Sequence, residues 1–155
     1  MAVQIARAMG AEVTAVCSTL NVAFVRTLGA AQVIDYTKSN VLEESGLYDA
    51  VFECVGSHDC WYYRKLLKKR GRHVGISCSW NSRFEGLKFR ILTSKGSSQF
   101  HVKASAEDLD FLSALVEEGQ VKPIVSHVYA LAQFAEAHRQ CETHRTVGKI
   151  AVQIS

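Results

Sequence analysis

The feature that most constrains this chain is an alternation. Short apolar runs rich in β-branched residues recur between stretches whose apolar residues fall at helical spacing. Glu12–Cys17 (EVTAVC), Gln32–Tyr36 (QVIDY), Tyr48–Val55 (YDAVFECV) and Arg72–Cys78 read as strands. Met1–Met9 puts Ala2, Ile5, Ala6 and Met9 on one helical face, with Gly10 as its stop. Thr19–Leu28 is helical with Val22 and Val25 inward and Gly29 at its end, and a further helix covers His58–Lys69 ahead of Gly71. Lys38–Leu47 is polar and holds a loop with one helical turn. Near-continuous apolar strands alternating with helices predict an α/β fold, a parallel sheet covered by helices on both faces.

The second half is less regular. Ser79–Ser98 shows weak periodicity and reads as a mobile loop, followed by a strand at Gln99–Lys103. Ser105-Ala-Glu-Asp108 is a capping-box variant opening a helix with Leu109, Leu112, Leu115 and Val116 on one face, closed by Gly119. After Pro123, the only proline, come a strand at Ile124–Tyr129, a helix over Leu131–Glu142 and a last strand at Gly148–Ile154. On that helix, Leu131, Phe134, Ala135 and His138 share a face, so His138 is expected to pack.

Composition excludes several classes. A chain of 155 residues with 48% hydrophobic and 21% charged residues suits a compact globular unit rather than a disordered tail. The net charge of +3 is scattered. Its one basic run, Lys65–Arg72, reads as the solvated end of a helix, so no nucleic-acid partner is expected. No apolar stretch approaches the roughly 18 residues of a membrane helix, and no signal peptide opens the chain. Cys17, Cys54, Cys60, Cys78 and Cys141 form no CxxC pair, which points to a reduced, intracellular chain, expected in the cytoplasm. Cys17, Cys54 and Cys78 fall near strand ends, where structural filling is favoured over a redox or metal cluster. The histidines show no metal-ligand spacing, and no metal site is expected.

Five segments, AVQIARAMGAEVTAVCST, LGAAQVIDYT, YDAVFECVG, EDLDFLSALVEEGQVKP and YALAQFAEAHRQCETHRTVGKIAV, together carry a resemblance. The chain resembles the medium-chain dehydrogenase/reductase superfamily, in its zinc-type alcohol dehydrogenase and quinone oxidoreductase branches, and only in the C-terminal nucleotide-binding part. The resemblance implies a Rossmann-like doubly wound sheet over residues 1–122, and a strand–helix–strand remnant of the family's catalytic domain over 123–155. It also implies what this sequence lacks. Met1 falls inside the helix that follows the family's first strand, and no G-x-G-x-x-G occurs among the ten glycines. That turn and the helix N-terminus hold the cofactor pyrophosphate.

The absent strand lies mid-sheet in the order 3-2-1-4-5-6. A buried unpaired backbone group costs about 1–3 kcal/mol against a net stability of about 5–15 kcal/mol. The gap is therefore expected to close, either by direct pairing of Glu12–Cys17 with Tyr48–Val55, or by Gly148–Ile154 entering the slot from its own chain or a second copy. A homo-oligomer through exposed strand edges is expected, or a separate chain carrying the catalytic domain.

The resemblance implies NADP(H) as cofactor, held weakly without the cradle, with no zinc and no catalytic residue in this chain. Ser18 and Thr19 correspond to small hydroxyl residues that donate to a 2′-phosphate, whereas an acidic residue there would bind the ribose diol. The alternative is that either one caps the following helix. Arg26 is the one cation nearby in sequence. Tyr36 corresponds to a tyrosine beside the adenosine, or is ordinary edge packing. Val55, Gly56, Ile76 and Ser77 end two strands at the carboxyl edge, where open α/β sheets take ligands. Gly56 alternatively serves only as the turn that Ser57 caps. The function implied is that of an oxidoreductase fragment acting on quinone or carbonyl/alcohol substrates and inactive alone. The alternative is a non-enzymatic oligomeric interaction module.

Overall fold

The computed structural model describes residues 1–43, 47–56, 58–76, 82–99, 103–143 and 145–154. Helices α1 (Ala2–Ala8), α2 (Val22–Thr27), α3 (Ser82–Thr93), α4 (Ala106–Glu117) and α5 (Phe134–Glu142) alternate with seven strands. The strands are β1 (Thr14–Cys17), β2 (Gln32–Asp35), β3 (Tyr48–Glu53), β4 (Leu67–Gly75), β5 (Gly96–Gln99), β6 (Val125–Ala130) and β7 (Lys149–Gln153). The fold is α/β with parallel pairing, as expected. The strands are grouped as β1-β2, β3-β4-β5 and β6-β7, and β3, β4 and β5 run parallel, as do β6 and β7. Between β1 and β2, Val13 O accepts from Ala31 N and Cys17 O from Tyr36 N, residue numbers rising together along both.

Two compact units divide the chain. The first comprises 1–15, 21–33 and 105–155. Its helices stop where glycine permits the left-handed backbone, at Gly10, Gly29 and Gly119. Ser105 caps α4 by accepting from Asp108 N at 3.3 Å, as the sequence predicts. Only Leu115 of the expected α4 face is buried, and Leu109 and Val116 are exposed. The expected α5 face is reversed. Ala137 is the buried residue, while Leu131, Phe134 and His138 face water, with His138 Nδ1 3.3 Å from Glu142 Oε1. Gln4, buried on α1, brackets Lys122: its Nε2 donates to Lys122 O at 3.2 Å and its Oε1 accepts from Lys122 N at 2.6 Å.

The second unit comprises 16–20 and 34–104. Its core is Cys60, Leu67 and Phe89, with Val51 and Trp61 packed against them. Here the structure corrects several expectations. His58–Lys69 is not a helix. Asp59 Oδ1 accepts from Trp61 N and Tyr62 N, a single 3₁₀ turn covers Tyr62–Lys65, and β4 starts at Leu67, which pairs with Tyr48. Burial of Leu66 and Leu67 beside β3 outweighs local helical spacing. The basic run Lys65–Arg72 therefore lies mostly on a strand, its cations exposed and Arg70 at φ +66°. Most of Ser79–Ser98, read as a loop, is occupied by α3 and by β5, which ends one residue beyond it at Gln99. The expected strand Gln99–Lys103 falls largely on residues 100–102, outside the described residues.

Neither expected closure of the sheet is present among the described residues. β1 pairs with β2, β3 with β4, and β7 with β6, so β1 and β3 are edge strands. The expected penalty applies to buried groups, but Asp49, Ala50 and Phe52 on β3 and Val16 on β1 are exposed, so water solvates these edges.

Candidate functional site at the carboxyl strand ends

Parallel strands deliver their carboxyl ends to one edge of each sheet, and within the second unit one group of residues follows β3 and β4 and another follows β1 and β2. The first follows β3 and β4. Glu53, the last residue of β3, is buried, and its carboxylate accepts from Val55 N at 3.0 Å and Gly56 N at 2.6 Å. This bond pair folds the chain back through Gly56, at φ +80°, and leaves Val55 83% exposed. Ile76 N donates to Glu53 O at 3.3 Å, and the Ile76 side chain is exposed. The turn is thus built by Glu53, which the sequence reading did not single out. Ser57, Ser77 and Cys78 lie outside the described residues, as do His101 and His144.

Beneath this edge His73 is buried on β4, stacked on Tyr63 with ring centroids 5.4 Å apart. Its Nδ1 is 3.3 Å from Ser97 Oγ, and its Nε2 has no hydrogen-bond partner among the described residues. Burial pushes the His73 pKa below the ordinary histidine value, opposed by the carboxylates of Glu53 and Asp59.

The second group follows β1 and β2. Thr19 neither caps α2 nor stands open. Its Oγ1 donates to Asp35 Oδ2 at 2.6 Å, whereas α2 begins at Asn21 without a side-chain cap. Thr37 adds two donors to Asp35 Oδ1, its hydroxyl at 2.7 Å and its N–H at 3.0 Å. Lys38 Nζ lies 3.8 Å from Asp35 Oδ2, so the cation beside this carboxylate comes from the β2 side. The Thr19 bond first, then those of Thr37 and the Lys38 charge, hold the Asp35 carboxyl below the usual carboxylate range despite some desolvation. Burial pushes the Cys17 thiol up, with Asp35 adding to the shift. Tyr36 is 61% exposed, its backbone N–H bonded to Cys17 O. Ser18, between Cys17 and Thr19, is half-buried.

The free cysteines include buried Cys60, which fills core, half-buried Cys17, and exposed Cys54 and Cys141. Among the described residues, no three His, Cys, Asp or Glu side chains group closely enough to hold a metal ion. No helix among them is long and apolar enough to cross a membrane.

Comparison with known proteins sets this edge in context. The family model described as zinc-binding dehydrogenase matches residues 28–152. The chain belongs to the zinc-binding dehydrogenase family. Within the medium-chain dehydrogenases, this member is 30% identical to a zinc-type alcohol dehydrogenase-like protein of Schizosaccharomyces pombe, over 98% of the chain and 47% of that protein. It is likewise 30% identical to the chloroplast envelope quinone oxidoreductase homolog of Arabidopsis thaliana, over 98% of the chain and 48% of the relative. The solved quinone oxidoreductase of Coxiella burnetii superposes with a TM-score of 0.84 at 26% identity, covering 99% of this chain and 48% of that one. This zinc-binding dehydrogenase chain thus spans about half the length of the relatives it matches.

Proposed function

We propose that this chain supplies the adenosine side of a nicotinamide dinucleotide site in an oxidoreductase acting on quinone, carbonyl or alcohol substrates, the acceptor side being supplied by a further segment or chain. The observation that carries the reading is the carboxyl edge. Thr19, Asp35 and Tyr36, and separately Val55, Gly56 and Ile76, end parallel strands with polar groups or exposed apolar surface, where open α/β sheets take ligands. When bound, such a cofactor supplies or accepts a hydride. The residues of this chain bind and orient: Tyr36 offers an exposed ring face to adenine, Asp35 an ionised acceptor, and Val55 and Ile76 apolar surface. The names of similar proteins support the class and divide on the cofactor. An Arabidopsis thaliana relative, 32% identical over 91% of this chain and 33% of its own length, is an NADPH-dependent alkenal/one oxidoreductase. A solved structure 26% identical, with a TM-score of 0.77 over 99% of this chain and 47% of that one, is an NAD-dependent alcohol dehydrogenase.

The test is calorimetric titration with NADH and NADPH, beside a turnover assay with quinones and aldehydes. Binding without turnover is expected. Turnover by the chain alone would overturn the division of labour, and absence of any nucleotide binding would overturn the cofactor reading.

A second reading, self-association into an oligomeric module, is favoured by the edge position of β1 and β3 with Val16 and Phe52 exposed on them. Light scattering at micromolar concentration decides it, and a monomer would refute it.

A further inference from the structure

Cations collect at the amino end of β3, β4 and β5, the end of that sheet opposite Glu53 and Gly56. Tyr48 pairs with Leu67 and Ala50 with Arg72, so β4 runs on five residues while β3 advances two. The surplus, 68–71, is a tight turn pushed out of the ladder. Arg70 takes the left-handed backbone there at φ +66°, and an added Cβ on Gly71 would meet Lys68 O at 3.0 Å. The turn carries Lys68, Lys69 and Arg70 into water, between exposed Arg64 and Lys65 before it and exposed Arg72 behind it. Lys95, just ahead of β5, reaches the same place, its Nζ donating to Arg64 O and Leu67 O. Asp49 Oδ2 lies 2.8 Å from Lys68 Nζ, and among the described residues no carboxylate pairs with Arg64, Lys65, Lys69, Arg70 or Arg72. Seven of the chain's 18 cations are here with the one paired carboxylate, a net of +6, while the rest of the sequence holds 11 cations and 14 carboxylates. The net charge of +3, expected to be scattered, is therefore strongly polarised.

Such a patch recognises a polyanion, and its surroundings select which kind. The cations stand on a protruding turn rather than along a groove. The rings beside them are already stacked within the fold, His58 on Tyr62 at 3.7 Å and His73 on Tyr63 at 5.4 Å, with Phe89 edge-on to Trp61, so nucleic-acid bases find little stacking surface. Leu47, whose N–H donates to Leu66 O at 3.0 Å, is 54% exposed next to the turn. Clustered cations with an apolar side chain among them fit a flat layer of anionic headgroups, where each Lys or Arg adds its own attraction and the leucine enters the headgroup boundary. We propose that the amino end of this sheet docks reversibly on anionic lipid headgroups, through Lys65, Lys69, Arg70 and the cations around them. The proposal is independent of the cofactor reading. Glu53 lies five residues along β3 from Tyr48, about 16 Å at about 3.3 Å per residue, so a docked sheet keeps its carboxyl edge open to solution.

The experiment sediments the full chain with phosphatidylcholine vesicles holding about 30 mol% phosphatidylserine, and with phosphatidylcholine alone. Salt is raised from about 0.1 M to about 1 M, which shortens the Debye length from about 10 Å to about 3 Å. Binding to the anionic vesicles only, lost at high salt, is expected. Lys65→Gln/Lys69→Gln/Arg70→Gly should bind at least about tenfold more weakly, since each cation near such a surface contributes about fivefold. Glycine suits the left-handed backbone of residue 70, so the turn is kept. Lys103→Gln/Arg139→Gln/Lys149→Gln removes the same charge from exposed sites elsewhere and should stay within about twofold. No binding to the anionic vesicles at about 0.1 M salt, equal binding to the neutral ones, an unaffected first variant, or equal losses in both variants overturns the proposal. Tighter binding to a uridine oligonucleotide than to the vesicles at equal phosphate concentration also overturns it, and makes the patch a nucleic-acid surface. Should the first variant not fold, Arg70→Gly alone carries the expected loss of about fivefold.

Discussion

Phe89→Ala is the most informative single perturbation of the second unit. Phe89 on α3 is fully buried, at 0% exposure, and its ring meets Trp61 edge-on with centroids 5.2 Å apart and planes at 83°. On the same helix Ile91 and Leu92 are 71% and 72% exposed, so among the described side chains of α3 it is Phe89 that packs with Cys60 and Leu67. Truncating a buried phenylalanine costs about 3–5 kcal/mol, the lost transfer energy and the cavity acting together. Against a domain stability of about 5–15 kcal/mol, that is a third or more of the total for most values in the range. For a unit of this size it lowers Tm by at least about 12 °C, at about 4 °C or more per kcal/mol. Urea denaturation in a Trp80→Phe background leaves Trp61 as the only tryptophan and thus a local reporter. Ile91→Ala and Leu92→Ala serve as controls, each expected within about 0.5 kcal/mol of the parent. A Phe89→Ala loss within about 1 kcal/mol of those controls would refute the assignment of Phe89 as the anchor of α3.

Three further outcomes are expected. Gly148, at φ +85°, would place an added Cβ 2.5 Å from Ile124 O, whereas Gly119, at φ +71°, has open space around it. Gly119→Ala should cost about 1–2 kcal/mol for backbone conformation alone, and Gly148→Ala clearly more, as measured by urea midpoints. Gln4→Ala leaves the N–H and C=O of Lys122 without their bracket, at about 1–3 kcal/mol for each group kept from water; Gln4→Glu, which keeps the acceptor but sets a buried carboxylate oxygen against Lys122 O, should cost at least as much at neutral pH.

The third concerns pH. His73 is held below its ordinary pKa in the folded chain, so the unfolded chain binds more protons as pH drops below about 6.5. Stability is therefore full above that pH and declines through the window down to the depressed folded value. Urea midpoints at about pH 7.5 and about pH 5.5 should converge in His73→Phe. An unchanged acid slope in that variant would remove His73 as its source.

Much of this architecture was legible along the chain because it rests on local chemistry. The β-branched runs at β1, β2, β3, β6 and β7 announce themselves, and the Ser105 cap needs only the N–H three residues on. What was illegible depended on neighbours distant in sequence. His58–Lys69 has helical spacing, but Leu67 finds Tyr48 across a strand pair. α3 shows little period: among its described side chains Phe89 is buried while Leu87, Ile91 and Leu92 face water.

The candidate site divides in the same way. Residue type and position placed Thr19, Tyr36, Val55, Gly56 and Ile76 at strand ends, since a strand's last residues can be read from where its apolar run stops. The partner of the Thr19 hydroxyl could not be read so. Asp35 lies 16 residues away, and only the parallel pairing of β1 with β2 brings its carboxylate to 2.6 Å. Local sequence determined which groups stand at the edge, whereas long-range pairing decided where each proton points, because a hydrogen bond answers to distance in space and not to separation along the chain.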